Sequence, residues 1–104
     1  MRETGFALRF HWDPVKARTN LVKHGVSFEQ ASSVFRDPLA TTIYDPEHSE
    51  EEERWLTLGR ASTARYLVVC HTWRQTDPGG AKIRIISARP ATKPEIRNYE
   101  ENQS

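Results

Sequence analysis

The sequence predicts an α+β domain: an antiparallel sheet of about four to five strands with two N-terminal helices and one C-terminal helix, in the order β-α-α-β-β-β-β-α. Three observations lead there. Lys82 to Arg89 alternates cations with Ile83 and Ile85, the period of a half-buried strand. Two helix starts, Asp13-Pro14 and Ser27-Phe28-Glu29-Gln30, lie close together, and only Gly25-Val26-Ser27 separates the helices they open. After Pro38, strand-like runs are joined by short connections, which favours an antiparallel meander with the helices packed on one face.

The elements follow in order. Phe6 to Trp12 is apolar-rich and reads as a first strand. Asp13 can cap the free N–H groups of a helix that Pro14 begins, and the helix runs to about His24 before Gly25 stops it. Ser27 and Gln30 form a capping box for a second helix, Phe28 to about Phe35, ended by Asp37-Pro38. Leu39 to Tyr44 is a second strand. The acidic stretch Asp45 to Glu53 is a loop. In the next strand Arg54, Leu56, Leu58 and Arg60 face one way, and Trp55, Thr57 and Gly59 the other. Tyr66 to Trp73 is a strongly apolar, central strand. Thr76-Asp77-Pro78-Gly79-Gly80 is a turn leading into Lys82 to Arg89. Thr92-Lys93-Pro94-Glu95 is a second capping box, and the last helix runs to about Glu101 with Ile96 and Tyr99 inward.

The chain has 104 residues and no repeat or linker, so residues 1–104 are expected to form one domain. No apolar run approaches the about 20 residues of a membrane span, and Met1 to Gly5 lacks the apolar core of a signal peptide. The single cysteine, Cys70, permits no intrachain disulfide. Together these point to a cytoplasmic protein without membrane contact. The net charge of +1 hides an asymmetry: six carboxylates and no cation between Asp45 and Glu53, then nine Lys/Arg against two acids from Arg54 to Arg97. Such a basic half is compatible with a nucleic-acid footprint or with a solvated surface.

Phosphate-loop and dinucleotide motifs are absent, as are H-E-x-x-H and C-x-x-C, and His11, His24, His48 and His71 lack metal-ligand spacing; no metal or cofactor is expected. The chemistry the residues allow is on phosphate. Cleaving RNA without a metal needs a base for the 2′-hydroxyl, fixed cations for the phosphorane and an acid for the leaving 5′-oxygen. Arginines on a sheet supply the cations; His24, Glu53 and His71 are candidates for proton transfer, each with a plain structural alternative as a helix-end residue, a solvated glutamate or a hydrogen-bonded sheet residue. Trp55, Tyr66 and Trp73 can stack on bases or pack in the core. In a regular strand Arg84 and Arg89 point to opposite faces, so they converge only if the strand bulges or ends near Ser87. Arg89 can equally pair with Glu95 or Glu100.

Phe10-His11-Trp12-Asp13-Pro14-x-Lys16, Asn20-Leu21-x-Lys23-His24-Gly25-Val26-Ser27-Phe28-Glu29, Asp37-Pro38-Leu39-Ala40, Glu52-Glu53-Arg54-Trp55-x-Thr57-x-Gly59 and Ile83-Arg84-Ile85-Ile86-Ser87-Ala88-Arg89-x-Ala91-Thr92-x-x-Glu95-x-x-x-Tyr99-Glu100 occur in this order. Over about residues 9 to 101 the chain resembles the BrnT toxin family. The resemblance implies a RelE-like fold and a ribonuclease toxin of a type II toxin–antitoxin pair that inhibits translation. It implies RNA as substrate and a BrnA-type antitoxin as partner, in a hetero-oligomer that binds operator DNA through the antitoxin. It further implies that basic sheet residues carry cleavage: Arg84, Arg60 and Arg89, with Lys23 and His24 as helix-borne neighbours. His24 is grouped with the catalytic candidates, and Lys23, Arg54 and Lys82 are the candidates for binding RNA. The residues before Arg9, the long Thr76–Lys82 turn and Pro94 depart from the family pattern. A non-catalytic nucleic-acid-binding module and a protein-interaction domain using the same basic sheet are the alternatives.

Overall fold

The structure, a computed structural model, describes residues 7–49, 51–76 and 78–102, without the side chain of His48. Expectations for Met1 to Phe6, Glu50 and Asp77 fall outside these residues. The elements are β1 (Ala7–His11), α1 (Pro14–His24), α2 (Phe28–Ser33), β2 (Thr41–Tyr44), β3 (Trp55–Arg60), β4 (Tyr66–His71), β5 (Arg74–Gln75), β6 (Gly80–Pro90) and α3 (Lys93–Glu101), with single 3-10 turns at Val34–Arg36 and Pro46–His48.

The α+β class and the three helices are as expected from the sequence. Helix α1 begins where the Asp13 carboxylate accepts from the Val15 N–H at 2.8 Å and ends at Gly25, whose φ of 68° lies in the left-handed region. The Thr92–Glu95 capping box is complete. The Ser27 box is only half made. Its hydroxyl accepts from the Gln30 N–H, but Gln30 Oε1 accepts from the Thr63 hydroxyl instead of returning to the cap.

Two expectations change. The sheet is mixed, with strand order β1-β6-β4-β3-β2 and β5 paired to the start of β6. β1 runs parallel to β6, from Ala7 opposite Gly80 to His11 opposite Arg84. A parallel neighbour needs a long crossover, and everything from α1 to the β5–β6 turn lies between these two strands. The helices also do not share one face. Helices α1 and α2 cover the face formed by Leu67, Val69, Ile83, Ile85 and Ala88, where Val26, Phe28, Ala31 and Val34 complete the core. Helix α3 lies on the opposite face, where Tyr99 stacks edge-on against Tyr66 at 5.3 Å and Glu95 pairs with Arg89. The Tyr99 hydroxyl donates to Asp37 Oδ2, which also accepts from the Arg60 N–H, so one carboxylate joins the 3-10 turn after α2, β3 and α3. Gly59 is required beside it: a Cβ there would lie 2.8 Å from Val34 Cγ1 and 2.9 Å from the Ala40 Cβ.

Strand β6 contains the decisive irregularity. Cys70 pairs with Ser87 and His71 with Ile85, so Ile86 is an extra residue, a β-bulge. Before the bulge, Ile83 and Ile85 point into the helix-covered core and Lys82 and Arg84 to the other face. After it, Ala88 points to the core and Ser87 and Arg89 to the other face. Beyond the bulge β1 has ended, and the N–H and C=O of Ala88 turn away from β4 with no strand to meet them. The buried Asn20 of α1 fills that role. Its Oδ1 accepts from the Ala88 N–H at 3.0 Å, and its Nδ2 donates to the carbonyls of Ala88 and Val26, both at 2.9 Å. One side-chain amide thus satisfies groups that are costly to bury unpaired.

His71 is sealed in the same core. Its Nδ1 lies 3.0 Å from the Thr72 carbonyl, which can only accept, so Nδ1 carries the proton. Nε2 then accepts from the Thr57 hydroxyl at 2.7 Å, and Thr57 Oγ1 in turn accepts from Thr42 at 2.8 Å. Phe35 covers the ring edge-on at 4.8 Å. Burial pushes the His71 pKa below its ordinary value, against the opposing effect of the Thr72 bond.

Two outcomes are expected. Asn20→Leu leaves both Ala88 groups buried and unpaired, and chemical denaturation should register a loss of about 3 kcal/mol. The second concerns pH. Below about pH 6.5 an unfolded histidine takes up a proton that folded His71 refuses. The stability His71 contributes is therefore complete above about 6.5 and lost as pH falls toward its lower folded value. Denaturation midpoints should drop over that window, and His71→Gln should flatten the drop.

Candidate active site

The sheet face opposite α1 and α2 is cationic at one end. Because β1 is parallel to β6 and β5 pairs on its other side, three cations line up across adjacent strands: Arg9 opposite Lys82, and Lys82 opposite Arg74. One step along, His11 sits opposite Arg84. Like charges directly opposite one another on a sheet repel and cost stability. This alignment is what an anion would relieve.

A groove of 380 Å³ runs over this end, lined by His11, Thr72, Trp73, Arg74, Lys82, Arg84 and, from the acidic loop, Glu52 and Glu53. Arg84 is held at its backbone, where its N–H donates to the Thr72 hydroxyl and its C=O accepts from the Thr72 N–H. Its guanidinium donates to the Glu52 carboxylate, with both side chains near 40% exposed, at 39% and 43%. A carboxylate therefore already occupies the anion position on Arg84. Trp73 stands at the groove wall with 42% of its surface exposed. A second opening of 380 Å³, lined by Arg9, Arg74, Thr76 and Lys82, continues the basic surface. Among the described residues no cluster of His, Cys, Asp and Glu is suited to hold a metal ion.

The residues singled out in the sequence fall in three places. Arg84 and Lys82 are in the groove. Arg60 and Arg89 share its sheet face but lie at the far end; β3 alone, from Trp55 to Arg60, spans about 17 Å. The bulge turns Arg89 to the face of Arg84, yet Arg89 there makes a two-pronged bond to Glu95, Nη1 to Oε1 and Nη2 to Oε2, each 2.9 Å. Arg89 holds the Glu95 carboxyl down at about 2. The Arg60 guanidinium lies over the Tyr66 ring, 5.7 Å from its centre. Beside it, burial and the bond to Asp37 push the Tyr99 hydroxyl up to about 12. Arg54, just before β3, lies on the same face at the groove end, level with Thr72, and close enough to Cys70 for its charge to act on the thiol, whose pKa burial nonetheless raises. Lys23 and His24 stand at the end of α1, in the helix layer behind the sheet.

His11, Arg74, Arg9 and Glu52 went unnoticed as site residues in the sequence. Alternation of Leu8, Phe10 and Trp12 was the available signal, since it turns Arg9 and His11 to the polar face. What the alternation could not supply was the partner of β1.

The comparisons with known proteins agree with one another. The family model described as the ribonuclease toxin BrnT of type II toxin–antitoxin systems matches residues 12–95. The crystal structure of the Brucella abortus ribonuclease toxin BrnT is similar in fold, with a TM-score of 0.54 at 19% identity, covering 84% of this chain and 99% of that one. No curated protein matches the sequence. On the strength of a family match that spans most of its length, the chain belongs to the BrnT family of ribonuclease toxins of type II toxin–antitoxin systems.

Proposed function

We propose that the chain is a metal-independent endoribonuclease whose active site is the groove over β1, β5 and β6. The observation that carries this reading is the convergence of Arg84, Lys82, Arg74 and His11 on one open groove beside two glutamates. Arg84 and Lys82 are fixed on β6, an interior strand that also builds the core, so their charges need little reorganisation when a phosphorane forms. The cleavage step is an in-line transfer. The 2′-oxygen bonds to phosphorus as its proton passes to a base, and the P–O5′ bond breaks as an acid protonates the leaving oxygen. Glu52, once displaced from Arg84 by the substrate phosphate, is the base in reach, and His11 on the opposite side of Arg84 is the acid. Trp73 offers a flat surface for a neighbouring base.

In this reading RNA is the substrate, and its cutting inhibits translation in the cytoplasm. A BrnA-type antitoxin neutralises the enzyme in a hetero-oligomer that binds operator DNA through the antitoxin. Arg60, Arg89 and His24 then serve the fold or the outer RNA path, and Lys23 and Arg54 contribute diffuse positive charge. Direct pairing of Arg89 with Glu95 supports the structural role.

Purified protein should cleave single-stranded RNA in EDTA. Arg84→Ala should lower kcat at least about 100-fold with an unchanged circular dichroism spectrum, and His11→Ala about as much through lost proton transfer. Salt-dependent RNA binding with no product from the wild type would instead favour a binding module.

A further inference from the structure

The two edges of the sheet differ. β1 carries Arg9, a charge of the kind that discourages strand addition. β2 is Thr41-Thr42-Ile43-Tyr44, uncharged, unbulged and exposed at every position, with Ile43 57% and Tyr44 43% exposed. Its hydrogen-bonding phase is fixed by its neighbours. The Asp45 N–H donates to the Arg54 carbonyl, so Asp45, Ile43 and Thr41 turn their backbone groups toward β3. Thr42 and Tyr44 therefore turn theirs outward. The close approach of the Thr42 and Thr57 hydroxyls, 2.8 Å, is that of a pair opposite without backbone bonds, as this phase requires.

Beside this edge lies a groove of 420 Å³ with an apolar floor of Ile43, Leu56, Leu58 and Val68, walled by Glu95 and Asn98 of α3 and by its C-cap Asn102. The groove is separate from the cationic one. β2 is three strands from β6, about 14 Å away.

We propose that β2 is the docking edge for the antitoxin: an extended segment of the partner adds as a further strand on Thr42 and Tyr44, and its alternate apolar side chains fall beside Ile43 into the groove under α3. This rests on the reading of the chain as a toxin with a protein partner. Outward N–H and C=O groups two residues apart accept an extended backbone, and the floor of the groove accepts side chains on one face of it. A second copy of the chain fits less well. Four residues against four bury far less than the roughly 1,200 Å² of a stable interface, whereas a partner segment that also fills the groove buries more.

The test is isothermal titration of the full chain with a purified BrnA-type antitoxin. Thr42→Pro deletes an outward N–H that the β2–β3 ladder does not use, a place where an edge strand tolerates proline. Thr42→Val keeps that N–H and removes only the hydroxyl. Ile43→Asp puts a charge into the groove from an exposed position. Thr42→Val should bind like the wild type. Thr42→Pro should weaken Kd by about tenfold to a hundredfold, and Ile43→Asp should weaken it too, with RNA cleavage by the free variants retained. Wild-type affinity in both Thr42→Pro and Ile43→Asp overturns the docking edge while leaving the partner reading intact. A wild type that binds no antitoxin overturns both. A wild-type dimer that Thr42→Pro makes monomeric, with antitoxin affinity unchanged, assigns the edge to a second copy and overturns the proposal.

Discussion

The amide of Asn20 holds the two layers of the protein in register. It ties α1 to β6 at Ala88, whose N–H and C=O both face outward after β1 has ended. Without that partner the bulge at Ile86 would leave two buried polar groups unpaired at the middle of the molecule. With it, the strand can shift phase. Ile83, Ile85 and Ala88 all reach the core although they do not follow a strict period of two, and the cations on both sides of the bulge emerge on one face. Whether Arg89 shares a face with Lys82 and Arg84 depends on this local choice.

Sharing a face is not sharing a site. Arg84 and Arg89 are separated by about four strand steps, roughly 13 Å, and each has a carboxylate with a different origin. Glu95 is fixed by its own capping box and binds Arg89 in a two-pronged bond, so that pair fastens α3 to the sheet. Glu52 comes from an exposed loop and makes a single bond to a half-exposed Arg84. Exposed pairs of that kind are weak and screened by salt, which suits a contact that substrate phosphate must replace. The same sheet thus carries a structural arginine at one end and an available one at the other.

Much of the fold was legible in the sequence because its signals are local. The Asp13, Ser27 and Thr92 caps, Gly25 and the alternation in β3 each act within a few residues. Parity also anticipated that Arg84 and Arg89 share a face only if the strand bulges or ends near Ser87, and the structure takes the bulge. Three features were not legible. The parallel pairing of β1 is a contact between residues more than seventy positions apart, and nothing in Phe10-His11-Trp12 specifies a partner. The side of the sheet taken by α3 depends on Tyr99 meeting Tyr66 and Asp37. His71 looks like a chemist's residue in the sequence and is a core residue in the fold, because Thr57 and the Thr72 carbonyl satisfy both ring nitrogens. For the candidate site, the missing information was the same parallel pairing, which alone brings His11 and Arg9 beside Arg84 and Lys82.

The claim that the groove over β1, β5 and β6 receives the RNA backbone has a direct test in a nuclear magnetic resonance titration with a 2′-O-methyl oligonucleotide, which binds but lacks the attacking hydroxyl. The account predicts that amide and side-chain shifts concentrate at His11, Thr72 to Arg74 and Lys82 to Arg84, and that Glu52 signals move as its carboxylate leaves Arg84. Shifts centred instead on Lys23 and His24, or on Arg60 and Arg89, with the groove residues unmoved, would contradict it.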